Sequence, residues 1–113
     1  MKNFMSLIAV CLLVIFISAR PVQQTFDKIS VQEFELVDNK GIQRASIKVE
    51  EGGEVVLRLF DQQHTIRVKI GGGADGSGIV LLDGNTNPGV HILSKKEGGR
   101  MNLQDATGKK REF

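Results

Sequence analysis

The sequence has no tryptophan, no tyrosine and only one cysteine. Without tryptophan and tyrosine it lacks most of the aromatic side chains on which nucleic-acid bases stack. Its 15 basic and 13 acidic residues nearly cancel, to a formal net charge of +2, so no strong field attracts nucleic acid or anionic lipid. We therefore expect no nucleic-acid partner, and contact with a membrane only through residues 1–19.

The single cysteine, Cys11, lies in an apolar run near the N-terminus. Lys2 precedes this run, which covers residues 4–17, and the small residues Ser18-Ala19 follow it. The run is shorter than the roughly 20 residues of a spanning helix, and small residues at its end are typical of a signal-peptide cleavage site. Residues 1–19 are therefore either a signal peptide, cut after Ala19, or an uncleaved membrane anchor. Both alternatives export the remainder, to a periplasmic, extracellular or membrane-anchored location. Cleavage would also remove the only thiol, and with it any disulfide or cysteine metal site.

The rest of the chain repeats itself. An aspartate recurs every 22 or 23 residues, with an apolar residue two and four positions before it. Alanine, valine or isoleucine lies seven and nine positions after the first three aspartates, and arginine lies six positions after three of the four. The aspartates are Asp38, Asp61, Asp83 and Asp105. This many matched positions at one spacing indicates about four copies of one structural unit.

Each unit has the pattern of a β-hairpin. Apolar and polar residues alternate on both sides of the aspartate, which places the apolar ones on one face of pleated strands. Segments such as Asp38-Asn39-Lys40-Gly41 are typical of tight turns. We therefore predict an all-β antiparallel meander over residues 31–113, after a polar linker at residues 20–30 and the N-terminal signal or anchor helix. Its strands are expected near residues 31–37, 42–49, 54–60, 64–70, 78–82, 89–94, 99–104 and 109–113.

Such a meander has one apolar face, which a single layer of strands would leave in water. A chain of this size has little stability to spare. The sheet could close into a barrel, fold over into a sandwich, or pack its face against other copies, as in a trimeric β-prism. The sequence leaves these alternatives open.

The first repeat unit resembles a known sequence pattern. Residues 34–45 are similar to the unit F-x-L-x-D-x-x-G-x-x-R-A, which occurs in tandem, after a signal or anchor, in a broad group of uncharacterised bacterial exported proteins. The resemblance covers residues 31–113 and decays through the third unit, where Gly41 and Arg44 have no counterparts and residues 83–89 are expected to lengthen the hairpin tip. It implies export and a β-repeat fold, and it implies no reaction.

The third tip also has a pattern similar to half of a calcium loop. Asp83, Asn85 and Asn87 place oxygen ligands at alternate positions. Pro88 replaces the glycine of such a loop, however, and Ser94 stands where its bidentate carboxylate belongs. We interpret the segment as a hairpin tip without a metal.

Two further patterns do not define a functional site. The glycine-rich segment at residues 71–78 is interpreted as a flexible joint, because a phosphate-binding loop would need a following helix and a lysine. His64 and His91 could be grouped with Asp61, Ser77 and Ser94 as a hydrolytic triad, but nothing in the sequence orders them. We predict that the protein is no enzyme, with no catalytic, cofactor-binding or metal-ligating residue.

The arginine that follows three of the aspartates has a simpler interpretation. Six residues across a hairpin tip bring the two arms close together, so Asp38 with Arg44, Asp61 with Arg67, and Asp105 with Arg111 are expected to form tip-closing ion pairs.

Export, repetition and the absence of an ordered catalytic group favour a non-enzymatic role. We expect a structural or protein-interaction module of the cell envelope, which associates with itself or with another envelope protein. The alternative is a small barrel-like module that binds an apolar ligand.

Overall fold

The computed structural model describes residues 1–18 and 23–113. The cleavage point expected after Ala19 and the start of the linker lie outside the described residues. The chain divides into two compact units, Met1–Ser30 and Val31–Phe113. The elements are α1 (Lys2–Ser18), β1 (Glu33–Val37), β2 (Gln43–Val49), β3 (Val55–Phe60), β4 (Ile66–Gly73), β5 (Gly76–Leu82), β6 (Pro88–Lys95), β7 (Gly98–Gln104) and β8 (Lys110–Glu112).

The first unit contains the helix α1, whose 17 residues are mostly apolar. Its first turn has no acidic residue and its last turn has no basic one, so no charge complements the helix dipole. Among the helices that the structure describes, none has both the length and the hydropathy to cross a bilayer.

The second unit is one open sheet of eight strands in the order of the sequence. Every neighbouring pair is antiparallel. The all-β meander of hairpins predicted from the repeat is therefore confirmed. The strand ends agree closely with the prediction, and the largest differences lie on either side of the glycine-rich joint.

The four hairpin tips share one turn. In the first, the N–H of Gly41 donates to the carbonyl oxygen of Asp38, and the N–H of Asp38 donates to that of Ile42. The residue three positions after the aspartate has a left-handed backbone in each tip, with φ of 77° at Gly41, 61° at His64, 64° at Thr86 and 84° at Gly108. The aspartate side chain holds the turn, because its Oδ1 accepts two backbone N–H groups, from the residues two and four positions later.

The third tip is not longer than the others, so that expectation is wrong. The N–H of Asp83 donates to Asn87 and the N–H of Thr86 donates to Asp83, as in the first turn. The irregular residue comes after the turn, where Leu81 pairs with Val90 but Leu82 pairs with Pro88. Gly89 is thus the extra residue of a bulge, and Arg44 and Arg67 are extra residues at the equivalent positions of the first two hairpins.

The glycine-rich segment is not the flexible joint that we expected. The ladder continues through it, since Gly71 pairs with Gly78 and Gly73 pairs with Gly76, which leaves a turn of only two residues. Glycine suits these positions because the strands approach closely: a Cβ on Gly78 would lie 2.8 Å from the carbonyl oxygen of Ile92. The glycines leave this part of the sheet without side chains, and the backbone pairing between the strands continues.

The sheet is a single layer with almost no interior. In the described residues the only buried apolar side chains are Ala45 and Val56, and the only buried polar one is Ser46. The edge strands β1 and β8 lie at opposite ends of the strand order, so the described chain forms an open sheet and not a barrel. Apolar side chains that would fill a core in a two-layer domain are therefore exposed.

Candidate functional site

The main candidate site is the apolar face of the sheet, which is built from two rows of side chains that cross the strands. The register of the ladders aligns one residue of each strand with its neighbours, so each row runs the full width of the sheet. The first row is Phe34, Ile47, Leu57, Ile70, Ile79, Ile92, Met101 and Phe113.

The second row lies next to the first on the same face, two residues along each strand. Its members alternate between leucine on the odd-numbered strands and a smaller residue on the even-numbered ones, until an arginine ends the row. They are Leu36, Ala45, Leu59, Val68, Leu81, Val90, Leu103 and Arg111.

Most side chains of the two rows are exposed or half-buried, and Ala45 is the one buried member. Leu36 is 54% exposed, Ile70 is 41% exposed and Leu81 is 43% exposed. Eight strands about 4.8 Å apart, with two rows along each strand, give a face of about 38 Å by about 13 Å, or about 500 Å² of planar area. The only charged member of either row is Arg111, at the edge. We call these two rows the apolar face.

The opposite face is mostly charged and polar. One row there contains Glu35, Ser46, Arg58, Lys69, Val80, His91, Asn102 and Glu112. The carboxylate of Glu50, which follows β2, pairs with the Arg58 guanidinium and lies 3.9 Å from the Lys48 ammonium. Opposite charges on neighbouring strands are the normal composition of a solvated sheet surface, and pairs of this kind contribute little to stability.

A small apolar cluster interrupts the charged face above the glycine ladder. Val56 is only 7% exposed and its methyl group lies over Gly71, while the Leu93 side chain lies over Gly78. An open depression of about 430 Å³ lies here, lined among others by Lys69 and by these glycines. The alternation of apolar and polar residues does not predict this cluster. The pair Val55-Val56, which breaks the alternation, was the available signal.

Each of the four hairpin tips has one aspartate whose pKa is lowered. Backbone N–H groups of Ile42, Thr65 and Asn87 are the main cause that lowers the pKa of Asp38, Asp61 and Asp83, respectively, below the usual value of 3.8. The pKa of Asp105 is also lowered, chiefly by the hydroxyl of Thr107. Donated hydrogen bonds favour the charged form of a carboxyl group. These carboxylates are thus occupied in holding their turns.

The arginines of the first two units form the expected ion pairs and make a second contact. The Arg44 guanidinium lies 3.6 Å from the Asp38 carboxylate, and its Nε donates to the carbonyl oxygen of Phe60 at 3.2 Å. Arg67 repeats the arrangement, 3.4 Å from Asp61 and with its Nε 3.1 Å from the oxygen of Leu82. Each arginine therefore links its own tip to the following hairpin. Within the described residues no ion pair joins Asp105 to Arg111.

The residues that could be grouped as a hydrolytic triad are not brought together. Ser77 and Ser94 pair with each other at the end of the sheet near the glycine joint. Asp61 and His64 belong to a tip at the other end, where the His64 ring stacks on Phe60 with centroids 4.7 Å apart. His91 lies in the row of the charged face.

In the segment that resembles half of a calcium loop, the aspartate oxygens accept hydrogen bonds from the turn itself. Oδ1 of Asp83 accepts the N–H groups of Asn85 and Asn87, and Oδ2 accepts the Asn87 side-chain amide at 3.1 Å. Among the described residues, no group of three or more carboxylate, histidine or cysteine side chains could hold a metal ion.

Comparison with known proteins gives no match: no protein-family model, no curated protein and no solved structure is similar to this chain. The resemblance of residues 34–45 to the repeat of exported bacterial proteins stays a prediction. Function is therefore argued from the surfaces of the sheet.

Proposed function

We propose that the chain is an exported, non-enzymatic structural or protein-interaction module of the cell envelope, and that it acts through its apolar face. The observation that carries this proposal is the exposure of large apolar side chains, such as Leu36 and Ile79, along both rows of this face. A surface of this kind, continuous and nearly free of charge, is typical of a protein-interaction site.

The free energy involved is large compared with the stability of a domain. Covering about 500 Å² of apolar surface at about 25 cal/mol per Å² contributes about 12 kcal/mol per chain before the entropic costs of association are subtracted. The total stability of a typical folded domain is about 5–15 kcal/mol. Since the single-layer sheet has hardly any interior of its own, covering this face would supply a large part of the apolar burial that a domain needs.

Export is proposed from the N-terminal unit. A lysine precedes an apolar helix that ends near the small residues Ser18-Ala19, which is the arrangement of a signal peptide or an anchor. The only cysteine, Cys11, lies in this unit, so the β-sheet needs no disulfide in an oxidising compartment.

A variant pair tests export. Leu12→Arg places a charge in the middle of the apolar helix, at a cost of about 2.5–3.5 kcal/mol to insertion, and should retain the full-length chain in the cytoplasm. Gln24→Arg adds the same charge outside the helix and should be exported like the unaltered chain. Cell fractionation followed by intact-mass measurement reports both the compartment and the cut after Ala19. Equal export of both variants, or a cytoplasmic unaltered chain, would contradict the proposal.

The second candidate function is a barrel-like module for an apolar ligand. In the described chain β1 and β8 are not paired, so a cavity would have to form between chains. Titration with an environment-sensitive apolar dye tests this function, because an enclosed site gives saturable one-to-one binding and an exposed apolar face gives weak, multiple binding.

A further inference from the structure

We propose that the occupant of the apolar face is the same face of a second copy, so that two chains form a two-layer β-sandwich. This inference rests on the proposed function, since it names the partner of the surface described there.

The first argument is the distribution of charge. Two copies that meet through the apolar face bring together only apolar side chains, apart from Arg111 at the edge. Two copies that meet through the opposite face would bury residues such as Glu35, Arg58 and Lys69, and buried charges are costly unless each is paired. Association through the apolar face is therefore strongly preferred.

The second argument is the alternation of large and small side chains in the second row. Consider a two-fold axis that runs parallel to the strands, midway between the two sheets and over the boundary between β4 and β5. Strand order is reversed between the copies, so an odd-numbered strand always faces an even-numbered one. Leu59 then faces Val90 of the second copy, and Leu81 faces Val68. Three of the four leucines thus point at a smaller residue, which is how facing sheets interdigitate. The fourth, Leu36, faces Arg111 of the second copy at the edge.

The same axis also orders the first row. Ile70 on β4 faces Ile79 of the second copy at the centre of the interface, and Phe34 on β1 faces the second copy's Phe113 at each end. Since the same patch meets itself, the contact closes after two chains and does not grow into a fibre.

The third argument is area. Two planar faces of about 500 Å² bury at least about 1,000 Å² in total, which is the minimum expected of a biological interface. The corrugated surface of the real side chains adds to this area.

In the register that would continue the rows of the sheet, the two edge strands do not favour association. If β8 continued the ladder onto β1 of another copy, in the register that joins Ser46 to Arg58, Glu112 would lie opposite Glu35 of that copy. Like charges directly opposite each other destabilise a strand pair. The charges on the edge strands therefore oppose end-to-end growth of the sheet. Association through the apolar face does not depend on such growth.

Single cysteines in the full chain test the inference in cells that express it. Every variant carries Cys11→Ser, so that one thiol remains. Ile70→Cys places that thiol at the centre of the interface, and Lys69→Cys places it one residue away on the opposite face. Phe34→Cys places it at the end of the apolar face. Cells are treated with a short, membrane-permeant bismaleimide or with a bulky maleimide of several kilodaltons, and the chain is analysed on denaturing gels.

We expect Ile70→Cys to shift to twice the chain mass with the bismaleimide, and Lys69→Cys to remain a single chain. Phe34→Cys should also remain single, because the two Phe34 positions lie about 34 Å apart when strand order is reversed. The bulky reagent should modify Lys69→Cys and spare Ile70→Cys. Light scattering on the cross-linked Ile70→Cys species should give the mass of two chains.

Each other outcome overturns the inference in a distinguishable way. Protection of Ile70→Cys from the bulky reagent without cross-linking would mean that a different protein covers the face, which contradicts the second copy and leaves the proposed function standing. Equal modification of Ile70→Cys and Lys69→Cys would mean a bare face, and both proposals would fall. Cross-linking of Phe34→Cys to itself would refute the two-fold axis parallel to the strands. A mass of three chains would replace the sandwich with a prism.

Discussion

Replacing Thr86 with glycine should stabilise the protein, although it removes a side chain and one hydrogen bond. Thr86 has φ of 64°, and the equivalent positions of two other tips are glycines with φ of 77° and 84°. A left-handed backbone costs a residue with a Cβ about 1–2 kcal/mol, and β-branching makes threonine especially unsuited to it. Glycine avoids this cost but loses about 0.5–1 kcal/mol through the flexibility of the unfolded chain.

The expected gain is therefore about 0.5–1 kcal/mol, the difference between these two effects. The hydroxyl of Thr86 bonds only to the exposed carbonyl of Asn85, so its loss subtracts little. For a domain of this size the gain corresponds to an increase of about 2–8 °C in Tm. Thermal unfolding of the full chain, followed by far-UV circular dichroism at one fixed protein concentration, measures it.

The reverse substitution, Gly41→Thr, is the matched control, because Gly41 occupies the same place in the first tip and a Cβ there would meet no atom within 4 Å. It should lower Tm by a similar amount. An unchanged or lower Tm for Thr86→Gly, together with an unchanged Tm for Gly41→Thr, would refute the assignment of one shared left-handed turn to both tips. His64→Gly is less suitable, because it also removes the stacking on Phe60.

Two further predictions concern close packing and acid stability. Gly78→Ala should lower the free energy of unfolding by about 1–3 kcal/mol, because its Cβ would lie 2.8 Å from the carbonyl oxygen of Ile92 and from the Leu93 side chain. Gly84→Ala, whose Cβ would have no atom nearby, should change urea unfolding little. Equal effects of the two substitutions would contradict the packing argument. The four turn aspartates have folded-state pKa values below 3.8, so their contribution to stability is fully present above that pH and is lost as the pH falls through the folded-state values. Acid titration of unfolding should therefore show a loss that is smaller in Asp38→Asn, and an identical acid loss in that variant would contradict this role of the turn hydrogen bonds.

The fold was largely predictable because the repeat expresses local rules. The alternation around Leu36 and Ile47 fixes which residues share a face, and a spacing of about 22 residues fixes the hairpin. These rules need no information about distant parts of the chain. The same alternation predicts that Ile70 and Ile79 share one face.

The sequence predictions are wrong where the side-chain pattern gives no information about the backbone. Between Gly71 and Gly78 no apolar pattern exists, yet the strands continue, because backbone pairing does not need side chains and close approach requires their absence. In the third tip the proline and glycines suggested a longer loop, whereas the aspartate turn is unchanged and Gly89 is absorbed as a bulge. The link from Arg44 to Phe60 was also hidden, since it joins two hairpins.

The candidate site itself follows from the repeat only when strands are counted. Each hairpin contributes one strand with a leucine in the second row and one with a smaller residue or the terminal arginine. A sheet made of whole hairpins has an even number of strands, so a two-fold axis along the strands always sets odd strands against even ones. With an odd number, the same axis would set Leu36 and Leu59 against leucines of the second copy, and the corrugated faces would clash. The complementarity that we propose to a second copy therefore follows from the repeated unit, and it needs no residue outside the two rows that the repeat already defines.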